Sequence, residues 1–375
     1  MTIEEDFKRL LAAHDLPYPD PVAAVAENKQ RMRKLLDAYD RGEVAELGQY
    51  GSQLLDVLHA EPALKRSLER EVDREFPFID ATGKVGRYLA LISQVLERRN
   101  IDLPQQMLFG EFPTRQFNAC VQPKPHGLLC LLNTGLLKLI YHVCVASSYA
   151  VHAVPAAENK ESQAFTAEAV ATMMVIRLIS NYLGGAEHRH VVPSALALRP
   201  EALYDATVLC YASRVFVLAH EIGHVVLGHQ SVACERPLSY VIAGEKSIER
   251  SKEDEFDADG FAQQVLLDLD AGKMFPEPLA AGGLAFLMIH AMILEVEAKL
   301  LEQPIEQIED SESHPPTWSR IRRLDTFLSE RLATPEARAN LASCTVLQRM
   351  LRNLQRASIR RSGAETLVDL PGAAP

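Results

Sequence analysis

The chain has 375 residues, of which 47% are hydrophobic and 24% charged, so it can build one large domain or two smaller ones and has the charge content of an ordinary globular protein. The formal net charge of -11 and the sequence pI of about 5.6 argue against nucleic-acid binding, which needs a basic footprint, and against docking on anionic lipid. The six cysteines are spread along the chain without a C-x-x-C pair, which predicts reduced, buried thiols and a cytoplasmic location.

Residues 1–100 are predicted to form an N-terminal helical subdomain. The acidic start MTIEEDFKRLLAAHD lacks the apolar region of a secretory signal. Charged and apolar residues then alternate at helical spacing. Amphipathicity alone allows two interpretations, a module that covers part of a core and a module that recruits or regulates.

The composition changes after residue 101. Residues 101–127 are rich in proline and turn residues. The five apolar residues Leu128–Leu132 are bounded by Gly127 and by an Asn-Thr-Gly turn. This pattern predicts a short buried strand, followed by a helix from about Leu136.

Helical patterns dominate the rest of the chain, so the predicted fold class is mainly α with a small β-sheet (α+β). The predicted helices cover residues 163–183, 203–229, 252–270, 280–301, 317–331 and 335–359, and the last residues, SGAETLVDLPGAAP, are predicted to be a loose tail. Two apolar segments, 139–157 and 282–294, are interpreted as buried helices of a soluble protein. The first contains two histidines and a proline, and the second is too short to cross a bilayer.

A candidate metal site lies inside the apolar run RVFVLAHEIGHVVLGHQ, where His220 and His224 match H-E-x-x-H with Glu221 as the acidic residue. Residues four apart share one helix face, so both imidazoles can bind one divalent ion. Glu221 can then take a proton from a water that the metal activates. Two core histidines satisfied by hydrogen bonds are the alternative. His229 is predicted to point away from His224, because it lies roughly 140° around the helix at about 100° per residue.

A third ligand is expected from the helix in residues 251–272, where Ser251 and Asp254 resemble a capping box and Gly272 a stop. Glu255 and Asp259 are four residues apart and project toward one place. One can bind the metal while the other accepts a hydrogen bond from a ligating histidine. Spacing alone does not choose Glu255 over Asp254 or Asp257, and a solvated acidic helix start is the alternative.

These motifs resemble those of the gluzincin metallopeptidases of the HtpX and CAAX-prenyl-protease type, in which a helix with E-[FY]-x-A-D follows the H-E-x-x-H helix. The chain has Glu255-Phe256-Asp257-Ala258-Asp259 at that place. The resemblance implies a gluzincin- or minigluzincin-like core that holds one Zn²⁺ per chain with His220, His224 and Glu255. It implies that Asp259 orients a ligand and that Glu221 is the general base.

Two further segments resemble that family. SHPPTWSRIRRL, residues 313–324, resembles H-P-P-x-x-x-R-I, which implies that His314 and Arg320 donate hydrogen bonds to the oxyanion. Without the resemblance, Pro315 and Pro316 predict the start of a helix, and Arg320 is interpreted as a solvated charge.

FNACVQPKPHGLLCLLNTGLL, residues 117–137, resembles the stretch whose strand forms the edge of the cleft, although Cys120 departs from the N-A-F-A pattern. A polypeptide substrate would then pair with that edge through backbone hydrogen bonds. The residues implied to contact it are Asn118, Leu129, Cys130 and Leu131.

The resemblance covers about 101–330, so the predicted domains are 1–100, 101–330 and a C-terminal helix and tail over 331–375. The predicted function is zinc-dependent metalloendopeptidase activity on a protein substrate, without nucleic-acid partners or an integral membrane segment. A non-catalytic zinc sensor or scaffold, a protease kept latent by its terminal helices, and a metal hydrolase for substrates other than peptides are the alternatives. The sequence does not give the oligomeric state.

Overall fold

The structure is a computed structural model of the chain. It describes residues 2–13, some helical positions between 30 and 41, and 85–104, 106–112, 117–152, 160–184, 200–229, 233–234, 247–248, 251–272, 279–309, 315–332, 341–362 and 365–369. Most of the predicted N-terminal subdomain lies outside these residues. The predicted domain boundaries therefore stay predictions.

The protein is mostly helical with a small mixed sheet, which confirms the predicted α+β class. In chain order the elements are α1 (Ile3–Ala13), α2 (Val85–Arg98), β1 (Met107–Phe112), β2 (Ala119–Lys124), β3 (Gly127–Asn133), α3 (Thr134–His152), α4 (Lys160–Leu183), α5 (Pro200–Val226), β4 (Ala233–Cys234), β5 (Ser247–Ile248), α6 (Lys252–Ala271), α7 (Gly282–Leu301), α8 (Ile305–Ile308), α9 (Thr317–Arg331), α10 (Ala342–Arg356), β6 (Ser358–Ser362) and β7 (Glu365–Asp369).

The chain forms two compact units. The first comprises Met1–Leu136, Leu218–Glu249 and Asp268–Glu277, and the second comprises Leu137–Val217, Arg250–Leu267 and Pro278–Pro375. Three of the boundaries fall inside the continuous helices α3, α5 and α6.

The first unit contains the three-stranded sheet, in the order β1-β3-β2. Strand β1 runs parallel to β3, and β2 runs antiparallel to it. Gly127 begins β3 with a φ of 144°, and a Cβ atom there would overlap the backbone of Gln106, so a glycine is required. Pro123 lies in the edge strand β2, where a residue without an N–H is tolerated.

The predicted buried strand at Leu128–Leu132 is confirmed as β3, but the pairing of a substrate along this strand, which the resemblance implied, does not fit the sheet. Strand β3 is central and pairs along both sides, so its backbone is already hydrogen-bonded. Leu129, Cys130 and Leu131 are buried, and Asn118 precedes β2 with its carbonyl accepting a hydrogen bond from the N–H of Asn133. The strand therefore has no free edge on which a substrate could pair.

Helix α1 covers this sheet with an apolar face spaced at one helical turn. Phe7, Leu10 and Leu11 are buried in one cluster with side chains of β1 and β3, namely Leu108, Phe112, Leu129 and Leu131. Asp6 on the same helix accepts a hydrogen bond from the backbone N–H of His126, and its carboxylate lies 3.0 Å from the Nδ1 of that histidine. The N-terminal helix is thus part of the core of the first unit.

The second unit is built around α7, which is buried on most sides and packs against α4, α9 and α10. Gly282 and Gly283 begin this helix where it passes close to the backbone of Ala212 and the side chains of Phe216 and Gln263. The predicted loose tail is wrong in part, because Ser362 of β6 and the whole of β7 lie in it and the two strands pair antiparallel.

Within the part of the chain that the structure describes, two helices, α3 and Glu201–Val226 of α5, are long and apolar enough to cross a bilayer by length and composition. In each, 67% of the apolar window is buried inside the protein, as expected of a core helix. The two segments interpreted as buried helices lie in α3, as far as residue 152, and in α7.

Candidate metal centre

Helix α5 brings two histidines together inside the protein. Its apolar sequence makes it a buried helix, and His220 and His224 lie one turn apart with little exposure. Their Nε2 atoms are 3.1 Å apart, and their rings meet edge to face with centroids 4.7 Å apart. Both imidazoles therefore present the same nitrogen to one point.

Helix α6 supplies the acidic side chains. Its predicted capping box is confirmed, because the N–H of Ser251 donates to the Asp254 carboxylate at 2.7 Å and the N–H of Asp254 donates to the Ser251 hydroxyl at 3.1 Å. Glu255 and Asp259 follow on the buried face, and Glu255 is only 1% exposed. A carboxylate in the first turn is favoured by the helix dipole.

The ligand atoms of His220, His224 and Glu255 all lie within 4.8 Å of one another, and all three residues are buried. The geometry favours Glu255 over the other two carboxylates that spacing left open as third ligand. Asp254 is occupied as the cap of α6, and the side chain of Asp257 is 51% exposed. Two imidazoles and one carboxylate in this arrangement could hold a divalent metal ion.

Arg320 of α9 is buried against both carboxylates of α6. Its Nε and Nη2 each donate to the Asp259 carboxylate at 2.7 Å, which is a bidentate pair. Its Nη1 lies 3.4 Å from Oε2 of Glu255. The alternative of a solvated Arg320 is therefore wrong, and one guanidinium links the candidate ligand to its neighbour one turn away.

Arg323, one turn further along α9, also contacts α6. It donates to Glu253 at 2.8 Å, and its guanidinium lies 4.5 Å from the centre of the Phe256 ring. The hydrogen bond to Glu253 raises the pKa of Arg323 above its ordinary value. Arg320 and Arg323 thus fix the register of α9 on α6.

His229 does not lie on the far side of the helix from His224, where the rotation per residue predicted it. Helix α5 ends at Val226, and Gly228 adopts a φ of 75°, so the chain turns back at that point. The Nδ1 atoms of His229 and His224 are 3.1 Å apart. The prediction that His229 points away from His224 is wrong, because the rotation of about 100° per residue stops at the helix end. The signal that could have found the contact is the glycine at 228, which predicts a helix stop.

Glu221 is buried on α5 beside the two histidines. His314 lies outside the residues that the structure describes, whereas Pro316 precedes the first turn of α9 as the proline pattern predicted. The predicted roles of Glu221, Asp259, His314 and Arg320 in catalysis stay predictions.

The architecture and the cluster define a mostly helical protein with a candidate two-histidine, one-carboxylate metal centre. The model of the family Peptidase U49 matches residues 151–336, which is just under half of the chain and includes the two histidines, Glu255 and the H-P-P segment. This match supports a peptidase, and so a hydrolase that acts on polypeptides. No curated protein and no solved structure matches significantly.

Proposed function

We propose that the protein is a zinc-dependent endopeptidase with a gluzincin-like centre, in which His220, His224 and Glu255 hold one Zn²⁺. The observation that carries this proposal is the convergence of three buried ligand atoms within 4.8 Å, contributed by two separate helices. The family match to a peptidase supplies the reaction class. We expect the enzyme to act in a reducing, cytoplasmic compartment.

The donor set fits zinc better than the hard cations. Imidazole nitrogens suit zinc and its neighbours in the first transition series, whereas Mg²⁺ and Ca²⁺ prefer oxygen ligands. Three protein ligands with a remaining open position are typical of catalytic zinc sites. A buried carboxylate and two buried imidazoles also cost less free energy when they share a cation than when each is desolvated alone.

A bound zinc ion would act as a Lewis acid and lower the pKa of a water to about 7. The rest of the reaction is assigned to the chain. Glu221 accepts the proton of the attacking water and returns it to the leaving amine. The buried position of Glu221, next to His220 on α5, supports this role.

In this proposal Arg320 positions the carboxylate of Glu255, instead of donating to the oxyanion as the resemblance implies. Two of its donor nitrogens are engaged with Asp259, and the third lies beside Glu255. The guanidinium therefore fixes the carboxylate that faces the metal. His314 keeps its predicted place as an oxyanion donor.

The test measures zinc content and proteolysis on the same purified proteins. We expect wild type to contain one zinc ion per chain and Glu255→Gln to contain none. Glu253→Gln is the matched control, because Glu253 lies on the same helix with a side chain that is 65% exposed. It should keep the metal and the activity.

Cleavage is then assayed by sequencing new N-termini in a digested proteome, with a chelator and with zinc added back. Glu221→Gln should keep its zinc and lose about 10²–10⁴-fold of the activity. Retained cleavage by Glu221→Gln would contradict the assignment of the base. Zinc binding without cleavage in wild type would instead favour the non-catalytic sensor or scaffold.

A further inference from the structure

The end of helix α5 forms a specific hydrogen-bonded cap. The N–H of His229 donates to the carbonyl of His224 at 2.9 Å, and the N–H of Gly228 donates to the carbonyl of Val225 at 3.2 Å. These two bonds around a left-handed glycine are the Schellman motif. In that motif the residue after the glycine folds back onto the last full turn of the helix, and here both contacting residues are histidines.

Each ring nitrogen of His224 has a defined neighbour, one on the helix and one in the cap. Its Nε2 lies 3.1 Å from Nε2 of His220, on the side of the candidate ligands. Its Nδ1 lies 3.1 Å from Nδ1 of His229, with the two rings 5.3 Å apart at 65°. His224 is 1% exposed, so its ring is held by these neighbours rather than by solvent.

We propose that His229 is a positioning residue of the metal centre, and this inference rests on the proposed function. A neutral imidazole has one donor and one acceptor nitrogen. If Nε2 of His224 is to bind a cation, its proton must be on Nδ1, and Nδ1 then donates to Nδ1 of His229. His229 is in turn the tautomer with its proton on Nε2. Ligating histidines commonly donate to a carboxylate or a carbonyl, and here a second imidazole takes that place.

The positioning role and a purely structural role make different predictions. The bonds of the cap run through backbone atoms, so a change of the His229 side chain leaves them in place. A structural side chain would change the stability of the metal-free protein. A positioning side chain would change the metal affinity and the ligand field of the bound ion.

The decisive comparison is His229→Gln with His229→Leu, because the two side chains have similar size and only Gln carries a hydrogen-bond acceptor. Zinc affinity is measured by competition with a chelator, and the visible absorption spectrum is recorded with Co²⁺ alone. We expect His229→Leu to bind zinc about 10–100-fold more weakly than wild type, with an altered Co²⁺ spectrum. His229→Gln should recover affinity and spectrum toward wild type.

Leu227→Ala is the matched control, because Leu227 is in the same turn and is 44% exposed. It should bind zinc as wild type does. Equal affinities and spectra for His229→Leu and wild type would overturn the inference while the proposed centre stands. Absence of zinc binding in wild type would overturn the centre and this inference together. Thermal unfolding of each metal-free variant shows that a lost affinity does not reflect a lost fold.

Discussion

The guanidinium of Arg320 is buried, and two carboxylates of one helix compensate its charge. Desolvating such an ion costs several kcal/mol, which is of the same order as its Coulombic attraction to the buried partners. The bidentate bonds to Asp259 and the contact with Glu255 supply that attraction. Removing the arginine alone therefore takes this compensation away from two buried carboxylates.

Arg320→Met should accordingly lower the free energy of unfolding of the metal-free protein by about 3–5 kcal/mol, measured by urea denaturation. Arg322→Ala, at an exposed position of the same helix, should change it by no more than about 0.5 kcal/mol. The double variant Arg320→Met with Asp259→Met removes charges of both signs and should lose less than the sum of the two single variants. An additive double variant would mean that the pair carries no coupling energy.

Cys344 gives the stability a dependence on alkaline pH. Burial, and then the charge of Asp325, raises the pKa of this thiol from 9.0 to about 12. Between pH 9.0 and about 12 the thiol ionises in the unfolded chain but stays protonated in the folded protein. The contribution of Cys344 to the free energy of unfolding is therefore fully present below pH 9.0, and it is lost as the pH rises toward about 12. Burial raises the pKa values of Tyr141, Cys144 and Tyr182 in the same direction.

The free energy of unfolding of wild type should therefore fall as the pH is raised above 9.0, and it should fall less steeply in Cys344→Ala. The measurement is urea denaturation at stepped pH on both proteins. Comparing slopes removes the constant cost of the smaller side chain. Parallel slopes for the two proteins would show that this thiol does not titrate differently in the folded state.

At the scale of elements, the close approach of two helices limits the size of the side chains that the start of α7 can hold. A Cβ atom on Gly282 would come within 2.5 Å of the backbone of Ala212 in α5. Backbone atoms cannot move aside as a flexible side chain can. Gly260 of α6 is the opposite case, because a Cβ atom there meets nothing within 4 Å.

Gly282→Ala should destabilise the protein by about 1–3 kcal/mol through overpacking. Gly260→Ala should stabilise it by about 0.5–1 kcal/mol, because alanine is the better helix residue. Thermal and urea unfolding of both variants measure the difference. Equal effects of the two substitutions would contradict the close packing of α7 on α5.

Helical periodicity predicted most helices of the described chain to within a few residues, because the apolar face of a helix depends only on the spacing of residues within that helix. Strands β1 and β2 were missed. Residues 107–124 contain prolines and turn residues, and their strands are defined by pairing with β3 rather than by their own pattern. The same reason explains why a substrate was expected to pair along β3, a position that β1 and β2 already occupy.

At the scale of the whole molecule, the candidate site was predicted where its geometry is helical and missed where a helix ends. His220, His224 and Glu255 follow from i, i+4 spacing and from one family motif. The contact of His229 depends on the cap at Gly228, and the ion pairs of Arg320 depend on how α9 packs on α6. Neither kind of contact is encoded by periodicity.

The C-terminal helix α10, which the sequence pattern predicted, belongs to the core of the second unit. Helix α10 packs on α7 and α4, and Arg349 donates to Glu168 of α4 at 2.6 Å. Its buried face is formed by Val346, Leu347, Met350, Leu351 and Leu354. Lys299 of α7 donates to the carbonyls of Gln355 and Ala357 at the end of this helix.

Leu347→Ala should therefore cost about 2–5 kcal/mol of unfolding free energy, as expected for a fully buried leucine. Arg352→Ala, on the exposed face of the same helix, should stay within about 0.5 kcal/mol of wild type. Hydrogen exchange should find the amides of α10 protected as strongly as those of α7, since the two helices share one core and open together. Rapid exchange in α10 with protection in α7, or a neutral Leu347→Ala, would show that the C-terminal helix is an appendage and not part of that core.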